Sequence, residues 1–209
     1  MRYKCLEAGW LTDEDYNHPR TAEIRKGWPQ GVQHWSRAVE YAYALRHLEA
    51  LPNPCTVLDV GCGRGWLCMI ISELLPGVIA EGIDPADEFP PWLPAPPSNH
   101  LSIYKRTAQS LLEPAWFQRY DAVTCLSVLE HMPPVEQGLV LAALHYVLKP
   151  GGRIILTWDI TFAEREYAQY PVRILEGLRL DADGFNPEDW PYAPPSPAQL
   201  GIIKLDGFI

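Results

Sequence analysis

The sequence has no C-x-x-C pair among its five cysteines, so it indicates neither a zinc site nor a disulfide framework. Scattered free thiols are typical of proteins from a reducing cytoplasm. No apolar run is long enough to span a bilayer, and residues 1–11 lack the pattern of a signal peptide. These absences predict a cytoplasmic protein that holds no metal and does not enter a membrane. The cysteines are Cys5, Cys55, Cys62, Cys68 and Cys125.

Clusters of lysine and arginine are also absent. The formal net charge is −9 and the sequence pI is about 5.1. Because a protein that binds nucleic acid usually carries a basic face, this balance disfavours DNA and RNA as substrates. It favours a small molecule as the partner and leaves the choice between monomer and homodimer open.

The length of 209 residues and the apolar fraction of 47% predict one globular domain with a full core. Residues 1–32 show weak periodicity and read as an N-terminal arm with at most short helices. Residues 33–51 carry an apolar stripe at helical spacing and predict a helix, with Arg37, Glu40 and Glu49 facing elsewhere. We therefore divide the chain into an arm and helix that form part of a lid, residues 1–51, and a main domain, residues 52–209.

A glycine-rich turn follows the first predicted strand. Residues 56–60 are an apolar run, Gly61, Gly63 and Gly65 break it, and residues 66–75 read as a helix. Glycines are needed where a backbone turns sharply and a ligand comes close, and the helix start presents free N–H groups. The pattern predicts a nucleotide-type ligand at the tip of this strand.

Two details argue against a dinucleotide. A dinucleotide fingerprint has the spacing G-x-G-x-x-G, whereas Trp66 stands here in place of the third glycine. Asp59 lies in the strand tip, where a carboxylate would repel a pyrophosphate but attract an ammonium or a sulfonium. An NAD-dependent oxidoreductase is thereby disfavoured.

Asp84 ends the second predicted strand, residues 78–84, 19 residues beyond Gly65. A carboxylate at about this distance reaches the ribose diol in a Rossmann-like unit, because it accepts two hydrogen bonds at once. The alternative is a turn aspartate before Pro85. The spacing to the glycines favours the ribose role.

Four segments in order over residues 55–158 closely resemble the class I S-adenosylmethionine (SAM) dependent methyltransferases. They are the glycine loop, the acid-ended strand 78–84, the strand 120–127 with the Leu-Glu-His segment after it, and the Lys-Pro-Gly-Gly turn 149–152 into another strand. The resemblance implies an α/β, Rossmann-like, doubly wound and mostly parallel sheet of about seven strands, with helices on both faces and an N-terminal helical arm or lid. The family sheet normally closes with an antiparallel hairpin, but here the last strand would barely begin before the sequence ends.

The same resemblance implies a binding site for SAM, with S-adenosylhomocysteine as the product. Many family members carry an acid near position 109, where this chain offers the Gln109 amide and the Ala108 backbone instead. Arg37 on the helix before the first strand would pair with the SAM carboxylate, unless it is a solvated surface residue. The implied cofactor-binding residues are Arg37, Asp59, Gly61, Cys62, Gly63, Gly65, Asp84, Pro85, Ala108, Gln109, Leu126 and Ser127.

Methyl transfer requires mainly that the acceptor and the methyl group be aligned, and for a hydroxyl acceptor a base adds to the rate. His131 and Asp159 follow two strands at the edge where the crevice of such a sheet opens. His131 has a structural or cofactor-side role as its alternative, and Asp159 has a helix cap as its alternative.

The sequence thus predicts a methyltransferase that acts on a small molecule, at a hydroxyl oxygen. The alternatives are an N- or C-methyltransferase of the same fold and a SAM-binding protein without catalysis. An Asn/Asp-Pro-Pro-Tyr/Phe motif is absent, which disfavours methylation of nucleic-acid amino groups.

Overall fold

The structure is a computed structural model that describes the backbone of residues 3–28, 35–86, 100–159, 180–181 and 200–207. The helices are α1 (Asp13–Tyr16), α2 (Pro19–Gly27), α3 (Trp35–Leu48), α4 (Trp66–Leu74) and α5 (Pro134–Val147). The strands are β1 (Tyr3–Trp10), β2 (Cys55–Val60), β3 (Val78–Asp84), β4 (Leu101–Lys105), β5 (Tyr120–Leu126), β6 (Leu148–Asp159), β7 (Leu180–Asp181) and β8 (Leu200–Gly207). Single 3₁₀ turns lie at Ala108–Leu112, Pro114–Trp116 and Leu129–His131.

One sheet contains all of these strands, in the order β4-β3-β2-β5-β6-β8-β1-β7. The five strands from β4 to β6 are parallel, and β8 is antiparallel to β6. The predicted Rossmann-like, mostly parallel sheet is therefore confirmed. The chain order reverses between β2 and β5, which is where an open sheet of this kind forms its crevice.

The parallel strands are covered on both faces, as their nearly continuous apolar sequences predict. Successive residues of a strand point to opposite faces, so Val57 belongs to one core and Leu58 to the other. The first core contains buried residues of α2, α3 and α4, and the second contains those of α5 and the 3₁₀ turns. This arrangement confirms the helices on both faces.

The N-terminal arm differs from its prediction. The short helices α1 and α2 are present, but residues 3–10 form strand β1, which pairs antiparallel with β8. β8 itself is a full strand of eight residues, where we expected one that barely begins. The partners lie at opposite ends of the sequence, so no local pattern shows that β1 gives β8 its second neighbour.

Several predictions fall outside the described residues. The residue pattern predicts a helix over 171–180, of which only Leu180 is described, and the density of proline predicts rigid loops at 90–97 and 187–197. The domain boundary after residue 51 and the lid remain predictions. Among the helices that the structure describes, none is long and apolar enough to cross a membrane.

Candidate functional site

The glycine loop lies against the end of β3. The backbone N–H groups of Gly61 and Cys62 both donate to the carbonyl of Ile83, at 2.9 and 3.0 Å. Gly61, Gly63 and Gly65 have φ angles of +75°, +52° and +74°, which residues with a β-carbon rarely adopt. Each glycine of the G-x-G-x-G motif thus occupies a position of the turn where the backbone is left-handed.

The first and second glycines have different surroundings. A β-carbon on Gly61 would lie 2.5 Å from the Val128 side chain, whereas a β-carbon on Gly63 would meet nothing within 4 Å. Space is therefore closed on the side of β5 and open beside Gly63. The loop offers a cradle whose backbone a ligand can approach closely.

Asp84 lies beside this loop, and both of its carboxylate oxygens accept a backbone hydrogen bond. One oxygen accepts from the N–H of Gly63 at 2.8 Å, and the other accepts from the N–H of Ala86 at 2.8 Å. The second bond is the turn contact that we weighed as the alternative role. The first bond brings the carboxylate to the glycine loop, and the predicted contact of Asp84 with a ribose stays a prediction.

Asp59 is buried at the end of β2, where the Thr124 hydroxyl on β5 donates to it at 2.7 Å. Burial raises its pKa from 3.8 to about 7, because removing a carboxylate from water penalises its charged form. Asp84 and Glu40 also raise the pKa, while Thr124 and Arg37 lower it. Asp59 therefore keeps its proton to a higher pH than an aspartate in water does.

Glu40 is a correction to the sequence analysis. We placed it on the outward face of α3, but its side chain is 0% exposed. Its carboxylate accepts from the hydroxyls of Ser127, just beyond β5, and of Thr157 on β6. The same carboxylate pairs with Arg37 one turn earlier on α3.

Arg37 lies over the tip of β5. Its Nη1 is 3.1 Å from a Glu40 oxygen and 3.1 Å from the Leu126 carbonyl oxygen. Burial acts to lower the pKa of Arg37, but Glu40, Tyr41 and Glu130 outweigh it and hold the pKa above its usual value. The guanidinium is thus charged, half-buried and directed at the strand edge.

The predicted site residues Leu126 and Ser127 are buried at this tip. Ser127 has a φ of +49°, in the left-handed region, and its N–H donates to the Thr157 carbonyl at 3.0 Å. Val128 follows and packs against Gly61, so this segment forms one wall of the cradle.

The proposed bases occupy the same edge of the sheet. His131 is exposed at the end of the 3₁₀ turn Leu129–His131, and Asp159 is the last residue of β6, its side chain lying outside the described part. The buried Gln137 of α5 donates to the carbonyls of Leu129 and Met132, at 2.9 and 3.0 Å. This amide fixes the turn that carries His131.

The remaining predicted residues vary in their surroundings. Cys62 and Ala108 are buried, whereas Pro85 and Gln109 are exposed. Trp66, in place of the third glycine, begins α4, and the Trp28 ring packs edge-on against it with centroids 6.4 Å apart. Among the described residues, no group of histidine, cysteine, aspartate and glutamate could hold a metal ion.

Sequence reasoning missed Glu40, Thr157, Thr124 and Gln137 as parts of this site. One signal was available, because Glu40 stands three residues after Arg37 and residues at that spacing share a helix face. Thr124 and Thr157 are single polar residues within apolar strands, and Gln137 follows Glu136 at the start of α5. Only the fold brings these three side chains to the strand tips.

A family model described as a methyltransferase domain matches residues 33–195, which is more than half of the chain. Among curated proteins, a ubiquinone biosynthesis O-methyltransferase of Saccharophagus degradans is 36% identical over 104 residues, 48% of this chain and 42% of that protein. Its counterpart from Xanthomonas axonopodis pv. citri is 32% identical over 129 residues, 62% and 52% of the two chains. The chain spans about half the length of these curated relatives.

Solved structures show the same fold. A SAM-dependent methyltransferase from Archaeoglobus fulgidus has a TM-score of 0.58 at 17% identity, over 82% of this chain and 95% of that one. The 1,6-didemethyltoxoflavin-N1-methyltransferase of Burkholderia thailandensis, solved with S-adenosylhomocysteine, has a TM-score of 0.60 at 18% identity, over 99% and 95%. The chain therefore belongs to the family of that methyltransferase-domain model, and it has the fold of these SAM-dependent methyltransferases.

Proposed function

We propose that this protein transfers a methyl group from SAM to a hydroxyl oxygen of a small molecule and releases S-adenosylhomocysteine. The observation that carries the proposal is the 2.8 Å hydrogen bond from the Gly63 N–H to the Asp84 carboxylate, at the open side of the glycine loop. This combination offers a diol-binding acid beside a backbone that a ligand can approach. The names of the curated relatives support oxygen as the acceptor atom.

The residues present fit the cofactor. The carboxylate of Asp84 would accept from the ribose hydroxyls, and the half-buried Arg37 would pair with the methionine carboxylate. Gly61, Gly63 and Gly65 would leave room for the backbone to approach the ligand. The set that we assign to cofactor binding is completed by Asp59, Cys62, Pro85, Ala108, Gln109, Leu126 and Ser127.

The charge around the cradle supports a cationic ligand. Asp84 and Glu40 both raise the pKa of Asp59, and Arg37 lowers it. A carboxylate at Asp59 is therefore disfavoured by two neighbouring acids, and a cation close to it would favour its charged form. A sulfonium and an ammonium group would be attracted to such a site, whereas a pyrophosphate would be repelled.

When bound, SAM supplies a methyl group that its sulfonium has already activated. The chain would orient the acceptor at the carboxyl ends of the strands, beside the open side of the cradle. A base near the acceptor would take the hydroxyl proton as the methyl group leaves the sulfur of SAM for the oxygen, and we assign this role to His131, with Asp159 as the second candidate. We expect the protein to act in the cytoplasm, as a monomer or a homodimer.

The direct test measures retention of tritiated SAM and of NAD on the purified protein. We expect SAM to be retained and NAD not, and retention of NAD alone would refute the proposal. Release of S-adenosylhomocysteine with a panel of hydroxyl, amine and activated-carbon acceptors then separates the O-methyltransferase from its N- and C- counterparts. Binding of SAM without release of S-adenosylhomocysteine with any acceptor would indicate a SAM-binding protein that does not catalyse methyl transfer.

Replacing Asp84 with alanine should weaken SAM binding by roughly tenfold or more, because a charge-assisted acceptor of two hydroxyls is lost. Isothermal calorimetry with SAM measures the change. Asp121→Ala is the matched control, since Asp121 pairs with Lys149 and Thr56 away from the loop. An unchanged SAM affinity in Asp84→Ala would show that the ribose assignment is wrong.

Asp59→Asn should raise the free energy of unfolding above pH 7 by roughly 2–4 kcal/mol while weakening SAM binding. The folded pKa of Asp59 is raised to about 7, so the cost of its charge is absent below about pH 4, grows between pH 4 and 7, and is complete above. The amide oxygen can still accept from Thr124. Urea unfolding at pH 4 and pH 8 measures the difference, and an equal gain at both values would contradict it.

His131→Gln should lower kcat by about 10²-fold or more if its imidazole takes the acceptor proton. The SAM dissociation constant should stay unchanged, because the role is at the acceptor. Single-turnover methyl transfer with an identified acceptor checks the first value, and calorimetry checks the second. A loss confined to SAM affinity would instead assign His131 to the cofactor side.

A further inference from the structure

We propose that Glu40 is the positioning residue of this site: its carboxylate holds Arg37 and Ser127 where they meet the methionine end of the cofactor. This inference rests on the proposed use of SAM. Glu40 has no place in the resemblance from which the other site residues were derived, and its role comes from the contacts of the folded chain.

The first argument is burial. The Glu40 side chain is 0% exposed, and a buried carboxylate is tolerated only where it is paired and hydrogen-bonded. Its donors come from three parts of the fold, namely Arg37 on α3, Ser127 beyond β5 and Thr157 on β6. One side chain thus ties a helix to the tips of two strands.

The second argument concerns what these contacts hold in place. Ser127 has a left-handed backbone with a φ of +49°, a conformation that non-glycine residues adopt only when their surroundings enforce it. The hydroxyl bond to Glu40 and the N–H bond to the Thr157 carbonyl fix this residue from two sides. Val128, the next residue, then closes the cradle against Gly61.

The third argument concerns Arg37. Its side chain is 34% exposed, so it would sample several rotamers without a partner. Glu40 and the Leu126 carbonyl each hold its Nη1 at 3.1 Å. Both of these bonds use Nη1, and the guanidinium has five N–H donors in all, so the group can bind a carboxylate as well. Preorganisation of this kind reduces the entropy lost on binding.

The test uses Glu40→Gln in the full chain. An amide oxygen can still accept from the two hydroxyls, but the charge that holds Arg37 is lost. We expect the dissociation constants of SAM and S-adenosylhomocysteine, measured by calorimetry, to rise about tenfold. In ¹⁵N-arginine NMR spectra, rotation of the Arg37 guanidinium should become faster than in the wild type.

Glu81→Gln is the matched control. Glu81 is also buried, and it accepts from Arg119 Nη2 and from the Tyr120 hydroxyl, both at 2.5 Å, at the start of β5 and not at its tip. We expect the control to lower the unfolding midpoint and to leave the affinity for S-adenosylhomocysteine unchanged. Equal losses of affinity in the two variants would show that Glu40 acts only through stability and would overturn the proposal.

A double-mutant cycle tests whether Glu40 acts through Arg37. In an Arg37→Met background, Glu40→Gln should change the affinity less than in the wild type, since the guanidinium it holds is gone. Fully additive effects would overturn this step. If Glu40→Gln does not fold, Ser127→Ala removes one donor to Glu40 and should lower the affinity about threefold, and an unchanged affinity would contradict the proposal.

Failure of the proposed function gives a different result. A wild-type protein that binds neither SAM nor S-adenosylhomocysteine refutes the proposed function and with it the cofactor role of Glu40. The arginine spectra then decide whether Glu40 holds Arg37 at all, and an Arg37 signal that is the same in Glu40→Gln would refute that contact too.

Discussion

The site depends on the contact between the glycine loop and the end of β3. Two successive N–H groups, those of Gly61 and Cys62, donate to one carbonyl, that of Ile83. This contact sets the loop beside the last residue of β3, so that the Asp84 carboxylate reaches the Gly63 N–H. The parallel pairing of β2 and β3 holds the glycine loop and Asp84 side by side, because Val60, just before the loop, pairs with Ile83, just before Asp84.

Electrostatic balance is the second constraint. Burial of Asp59, Glu40 and the tip of β5 concentrates acidic groups where little water screens them, and Arg37 is the cation that faces them. Such a cluster costs stability in the free protein, as the raised pKa of Asp59 records. A cationic ligand would recover part of that cost on binding, so under the proposed function the cost to folding and the affinity for SAM would have one physical origin.

At one side of the sheet, a strand from the start of the sequence pairs with a strand from near its end. β8 lies between β6 and β1, so the first strand of the sequence protects a strand formed by the last residues. Unpaired edges expose N–H and C=O groups that attract other strands. The N-terminal segment therefore belongs to the sheet before the chain enters α1 and α2.

The sequence by itself determined the elements that depend on neighbouring residues. The glycine spacing, the strand ending on Asp84 and the turn before β6 are local patterns, and they carried the resemblance that implied the mostly parallel sheet and the cofactor. Tertiary structure decided the partners of Glu40, the pairing of β1 with β8 and the pKa of Asp59. These features join residues far apart in the chain, such as Glu40 with Thr157, and burial reverses the expectation that a charged side chain faces water. No periodicity records such contacts, because they arise only when the strand tips and α3 come together.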